Sequence, residues 1–283
     1  MAGLLDGLAG LGLNNLAGTE IYEKEEKANV ADTQAAKTPE AIEKEFLYEK
    51  VMLCPVCNEK FNVKIMKTGK AKLIGTDFDL RPRYEGIDVV KYDAILCPHC
   101  GYAALTRYFE HISAGPAKLI KENISKNVQL HKYNDEIYTY EEAKERYTLC
   151  LANAVVKRAR NSEKAYVCLK SAWLFRGYAE YLEAKGEAQS PKYKELKEQE
   201  EVYLQNAYDG FKEACASELF PMCGMDESTV DYLMAELAAH LKKYDEANKL
   251  ISGLLTSNNA NPRIKDKARD LKTRIVEEKK KQG

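Results

Sequence analysis

Apolar positions along this chain change period near residue 116. Upstream, Phe61, Val63 and Ile65 alternate with polar residues, and Ile87, Val89 and the stretch from Val90 to Leu96 do so more loosely. Alternation lays one apolar face on a sheet, so the strands are predicted between about Phe46 and Leu105. Downstream the period moves to about 3.6 residues, the repeat of a helix with one buried side.

Tyr147, Leu151, Ala154 and Val155 share a face of a helix starting near Tyr140. Ala165, Leu169, Ala172 and Trp173 do the same in a second, which runs through Tyr178, Tyr181 and Leu182 to Gly186. Ser190-Pro191 predicts the start of a third, because serine caps the first amides and proline suits the first helical position. Tyr193, Leu196, Tyr203, Leu204, Ala207, Tyr208, Phe211 and Ala214 follow in register. An apolar loop from Leu219 to Met225 leads to Asp226 and a fourth helix, with two more at Tyr244–Thr256 and after Pro262. Thr38-Pro39-Glu40 has the same form of helix start as Ser190-Pro191.

Residues 228–256 look like a tetratricopeptide repeat. Ala235 and Ala247 take the small positions where two antiparallel helices approach closely, Tyr244 falls at the turn, and Ile251 and Leu254 complete the second helix. The earlier helices fit a period of about 34 residues poorly and are repeat-like only. Stacked pairs make a concave, peptide-binding face. In this register Thr229, Tyr232, Glu236 and His240 face the groove, and Met234 and Ala235 face the helix partner.

The fold class expected is α+β, mostly α: a small four-cysteine, zinc-ribbon-like β module followed by a tetratricopeptide-like helical domain. Residues 1–45 form a Leu- and Gly-rich leader and linker, 46–115 the zinc-ribbon-like module, and 116–283 a helical domain expected to fold alone. The leader sets six leucines among five glycines up to Gly18. Glycine costs about 1 kcal/mol per helical position, and there is no Lys or Arg to hold anionic lipid. Docking on its own protein or disorder is therefore expected there rather than a membrane anchor.

The chemistry lies in two CPxC turns, Cys54-Pro55-Val56-Cys57 and Cys97-Pro98-His99-Cys100. Each turn supplies two thiolates, and two turns complete a tetrahedral shell for one structural zinc ion. Asn58 and Gly101 follow the second cysteine of each turn, where positive φ is needed and these residues tolerate it. The rival for Cys97 and Cys100 is a thiol–disulfide pair at a helix start. A redox pair needs no second CPxC turn, so structural zinc is preferred. A catalytic zinc requires an open position that four thiolates do not leave. His99 and His111 are read as surface residues. Cys150, Cys168, Cys215 and Cys223 are read as small core hydrophobes.

The chain has 283 residues, with 43 basic against 44 acidic, a net charge of −1. That balance argues against a general nucleic-acid coat. Lys64, Lys67, Lys70 and Lys72 are the best local basic patch, but a solvated hairpin accounts for them better. No apolar run approaches the roughly 18 residues of a membrane span, and no signal peptide is evident. Reduced thiols and a thiolate metal site suit the cytoplasm. Between the CPxC turns, Asp77, Asp79, Arg81 and Arg83 crowd together. A turn closed by its own ion pairs is preferred there over a ligand site.

Taken together, Cys54-Pro55-x-Cys57, Asp77 to Tyr84, Tyr92, Cys97-Pro98-x-Cys100-Gly101-Tyr102-Ala103-Ala104 and Phe220-Pro221…Asp226 resemble domain of unknown function family 2225. The resemblance spans about residues 46–256; Asn58 stands where a glycine would be usual. It implies a bacterial cytoplasmic protein with a zinc-ribbon-like head and a tetratricopeptide-like body, and brings no known activity or catalytic residues. No phosphate loop and no nucleophile–base pairing is evident. The expected function is therefore a non-enzymatic zinc-binding adaptor for a protein or peptide partner. The alternatives are a thiol–disulfide oxidoreductase using Cys97 and Cys100 and a nucleic-acid-binding zinc ribbon.

Overall fold

Thr38 accepts a hydrogen bond from the Ala41 amide at 3.3 Å and starts helix α1, Pro39–Glu45, as the Thr-Pro pair predicts. The computed structural model describes residues 38–133 and 136–282, so the leucine-rich leader and most of its linker lie outside the described residues. Residues 38–283 form one compact unit.

Among the described residues, three antiparallel strand pairs follow α1. Strand β1, Leu47–Leu53, pairs with β2, Lys60–Met66, with Met52 opposite Phe61. Phe61 and Val63 turn inward while Lys60 and Asn62 stay exposed, which is the alternation read from the sequence. Strand β3, Leu73–Thr76, pairs with β4, Pro82–Tyr84, and β5, Ala94–Leu96, with β6, Ala103–Leu105. The strand expected from Ile87 through Val90 does not form. Asp88 accepts from the Val90 amide at 3.1 Å and caps a 3₁₀ turn over Val89–Tyr92, and that local bond wins over an extended run.

Helices α2, Thr106–Phe109, and α3, Ala114–Ile120, lead into the body. There α4, Tyr140–Val156, α5, Asn161–Ala184, and α6, Pro191–Ser217, pack as long hairpins. Helices α7, Glu227–His240, α8, Tyr244–Thr256, and α9, Pro262–Gln282, follow. The caps sit where the sequence placed them. Ser190 accepts from the Tyr193 amide at 3.1 Å, and Asp226 from the Thr229 amide at 2.8 Å. Ala235 and Ala247 are both fully buried in the α7–α8 pair. Three positions differ: Val155 lies exposed on α4, Tyr181 is exposed near the end of α5, and Cys215 is exposed one residue beyond the buried Ala214 on α6.

The boundary expected after residue 115 does not separate two cores. Ala94, Leu96, Ala103 and Leu105 of the β5–β6 hairpin belong to the same apolar cluster as Tyr147, Ala165, Trp173 and Phe211 of the helices. Strand alternation turns Ile95 and Ala104 the other way, into a second cluster with Cys54, Cys97 and Cys100. The hairpin is two-faced, so head and body share it.

Candidate metal centre

The two CPxC turns are built alike. The Asn58 amide donates to the Cys54 carbonyl at 2.9 Å, and the Gly101 amide to the Cys97 carbonyl at 3.0 Å. Cys54 N–H closes back on Glu59 O at 2.9 Å and Cys97 N–H on Tyr102 O at 2.8 Å, so each turn is pinned at the base of a hairpin. Asn58 and Gly101 both have the expected positive φ, 65° and 73°. At Gly101 glycine is needed twice over, because a Cβ would approach Val128 Cγ1 to 2.7 Å.

These turns bring together all four sulfurs predicted as ligands. Cys54, Cys57, Cys97 and Cys100 Sγ lie within 4.8 Å of one another and could hold one metal ion. Cys54 Sγ is 3.6 Å from Cys100 Sγ, and Cys57 Sγ is 3.6 Å from Cys97 Sγ. Each of these two contacts joins a sulfur of one turn to a sulfur of the other. Cys54, Cys97 and Cys100 are buried and Cys57 is half-buried. Contacts from the Cys100 and then the Cys97 thiol hold Cys54 well below the usual thiol range, helped by the backbone amides of Cys57 and Val56. Cys100 is pushed up in turn, by Cys54 first and Cys97 second. Four thiolates this close repel one another, and a bound cation would let them ionise together. His99 and His111 are both exposed and outside the cluster.

Sequence reasoning missed the support for the second turn. Asn153 of α4, fully buried, donates from Nδ2 to the Gly101 carbonyl at 3.0 Å. Tyr102 is likewise fully buried and donates to Phe109 O at 3.1 Å. An asparagine among the apolar positions of a helix was the available signal, since a buried amide needs partners.

The residues predicted to face a peptide groove do not form an exposed face. Tyr232 is 1% exposed, and its one hydroxyl proton has two acceptors in reach, the Phe78 carbonyl at 3.0 Å and Glu236 Oε1 at 2.6 Å. Glu236 is buried against Arg274, and its burial pushes the carboxyl above its ordinary range. Thr229 is half-buried beside its cap Asp226. His240 is exposed and meets Glu201 at 2.8 Å. The β3–β4 loop and α9 cover the face, because α7 is buried almost all round from Tyr232 to Ala239.

That covering loop is the Asp77–Arg83 segment, and it is closed by ion pairs, as preferred from the sequence. Arg81 lies between Asp77, Asp88 and Glu180, and Arg83 between Asp77 and Glu180. Arg176 of α5 grips Asp77, Asp79 and Glu200 at 3.2, 2.7 and 2.6 Å. Of the four lysines considered as a basic patch, Lys70 and Lys72 are exposed, while Lys64 packs on the Tyr138 ring and Lys67 bonds to the Glu45 carbonyl.

A metal-competent four-cysteine head set into a helical body defines the class of protein. The chain belongs to the bacterial family described as "Uncharacterized protein conserved in bacteria (DUF2225)", whose model matches residues 47–275. No curated protein and no solved structure gives a significant match to the chain. Among the described residues, no helix is long and apolar enough to cross a membrane.

Proposed function

We propose that the chain is a non-enzymatic adaptor whose head is organised by one structural zinc ion and whose helical body presents a surface to a protein or peptide partner. The observation that carries this reading is the four-sulfur cluster. Zinc–thiolate bonds of about 2.3 Å in a tetrahedron set sulfurs about 3.8 Å apart, and the close pairs at 3.6 Å fit that spacing. Four thiolates fill the shell, leaving no position for a substrate or a reactive water. All four sulfurs lie within 4.8 Å of one another, and a redox pair would not need Cys54 and Cys57 beside it, which favours metal binding over thiol–disulfide exchange. The eight unpaired cysteines suit a reducing compartment, and the cytoplasm is the compartment proposed. The tetratricopeptide-like reading of α7 and α8 rests on the packing of the two helices and the full burial of Ala235 and Ala247.

Elemental analysis of purified chain should find about one zinc per molecule, lost when any of the four cysteines is changed to serine. Structural zinc supplies on the order of 10 kcal/mol of folding free energy in small modules, so these variants should also unfold the head. Metal-free protein with a reversible Cys97–Cys100 disulfide would sink this reading in favour of the oxidoreductase.

A further inference from the structure

The cleft between α2 and the loop joining α6 to α7 carries charge that the metal centre does not explain. It measures about 640 Å³ and is lined by the cations Arg107, Lys157, Arg158 and Arg160 and the carboxylates Glu163 and Glu218. Glu163 is taken by Lys157, at 2.5 Å. Glu218 accepts from the Ser162 amide at 3.0 Å and from its hydroxyl, capping the start of α5. Arg158 and Arg160 are exposed, and among the described residues neither has an ion-pair partner. The cleft therefore keeps an excess of positive charge on a chain whose net charge is −1.

Two backbone details hold these cations in place. Arg158 sits at φ 56°, in the left-handed position that ends α4. The Ala159 amide bonds back to Ala154 O at 2.9 Å and the Arg158 amide to Val155 O at 3.0 Å. Glycine is the residue that ends helices in this way without steric cost, so the arginine is placed there against local preference. Across the cleft, Gly224 has φ 74°, and a side chain there would run into Arg107 Nη2. The bare backbone lets Arg107 lie over the loop and donate to the Cys223 carbonyl. At the rim Leu219 is 90% exposed, with Pro221 beside it.

We propose that this cleft binds an acidic peptide segment whose carboxylates meet Arg107, Arg158 and Arg160 while an adjacent apolar side chain covers Leu219. Charge complementarity selects an anionic partner. Glu163 and Glu218 interrupt the basic lining where a continuous phosphate backbone would pass, and Leu219 offers apolar contact that a peptide supplies. The proposal names a partner class for the adaptor function above and rests on that reading.

Fluorescence anisotropy on the full zinc-loaded chain tests it, with a labelled peptide of alternating Glu and Leu, its Lys–Leu counterpart, and a labelled oligothymidylate. The acidic peptide should bind in preference to both, more weakly as salt rises. Arg158→Gly should weaken it about tenfold while leaving the melting temperature unchanged or higher, since the left-handed residue is relieved. Arg160→Gln and Leu219→Ser should each weaken it without loss of zinc. Equal affinity in the arginine variants, no binding of the acidic peptide, or preferential binding of the oligothymidylate would overturn the proposal. If a native partner is held equally by wild type and Arg158→Gly, the cleft is excluded and the adaptor reading stands.

Discussion

Asn153 Nδ2 donates to the Gly101 carbonyl oxygen at 3.0 Å, so a helix of the body holds the residue on which the second cysteine turn closes. The same residue sends its N–H to Cys97 O at 3.0 Å. Asn153 also donates to Leu149 O at 2.8 Å, which fixes the amide on its own helix. The second cysteine turn and the packing of the body are thereby linked through one side chain.

Changing Asn153 to Leu keeps much of the volume but leaves the Gly101 carbonyl without its donor. A buried acceptor stripped of its partner costs about 1–3 kcal/mol. The variant should melt lower and release zinc faster to a chromogenic chelator than wild type. Faster melting with an unchanged release rate would mean that Asn153 serves the helical core alone.

Local signals carried most of what was legible in the sequence. The CPxC turns, the positive φ at Asn58 and Gly101, and the caps Thr38, Ser190 and Asp226 each depend on a few neighbouring residues. What failed depended on distant partners. Tyr232 reads as one stripe of an amphipathic helix, yet α7 is packed nearly all round, and periodicity cannot say how many sides are covered. Phe78, which accepts its hydroxyl, lies 154 residues away. Arg176 likewise meets Asp77 and Asp79 across almost a hundred residues. The two-faced hairpin at Ala94–Leu105 escaped notice because a run of residues buried on both faces has no polar alternation to read.

The shared hairpin bears on where the chain can be cut. A fragment of residues 116–283 loses Val90, Leu96 and Leu105 from the body core. Each is worth about 1.5–3 kcal/mol when buried, which together rivals the roughly 5–15 kcal/mol of a typical domain. Circular dichroism of the fragment should show reduced helix and a broad melt, against a cooperative transition in the full chain. A fragment that melts as sharply as the whole would show the body core to be self-sufficient.

Arg176 ties the β3–β4 loop to the helices from the α5 side, alongside the Arg81 and Arg83 pairs with Glu180. Replacing it with Leu strips one cation from Asp77, Asp79 and Glu200, while Asp77 keeps Arg83 at 3.2 Å, Glu200 keeps Lys197 at 2.5 Å and Asp79 keeps the Trp173 indole at 2.9 Å. Removing one partner of a largely buried ion pair costs about 3 kcal/mol. Urea denaturation should reveal that loss, and proteolysis should cut between Thr76 and Pro82 more readily. Unaltered stability would mean that solvent screens the network.

Acid should weaken α7 through Asp226. Its carboxylate accepts from the Thr229 amide at 2.8 Å and the Ser228 hydroxyl at 3.1 Å. The contact with Thr229 is the largest cause holding its pKa below the ordinary carboxylate value. A group whose pKa is lower folded than unfolded stabilises the fold above its unfolded value, about 3.9 for aspartate, and loses that contribution as pH falls through the folded one. Asp226→Ala removes the cap altogether, at about 1 kcal/mol near neutral pH. The melting-temperature gap between wild type and this variant should hold steady from pH 7 to 5 and narrow below pH 4. Taking the difference between the two proteins cancels acid effects common to both, including release of metal as the thiolates protonate. A gap that widened on acidification would show that Asp226 is destabilising when ionised and that the cap acts through its neutral form.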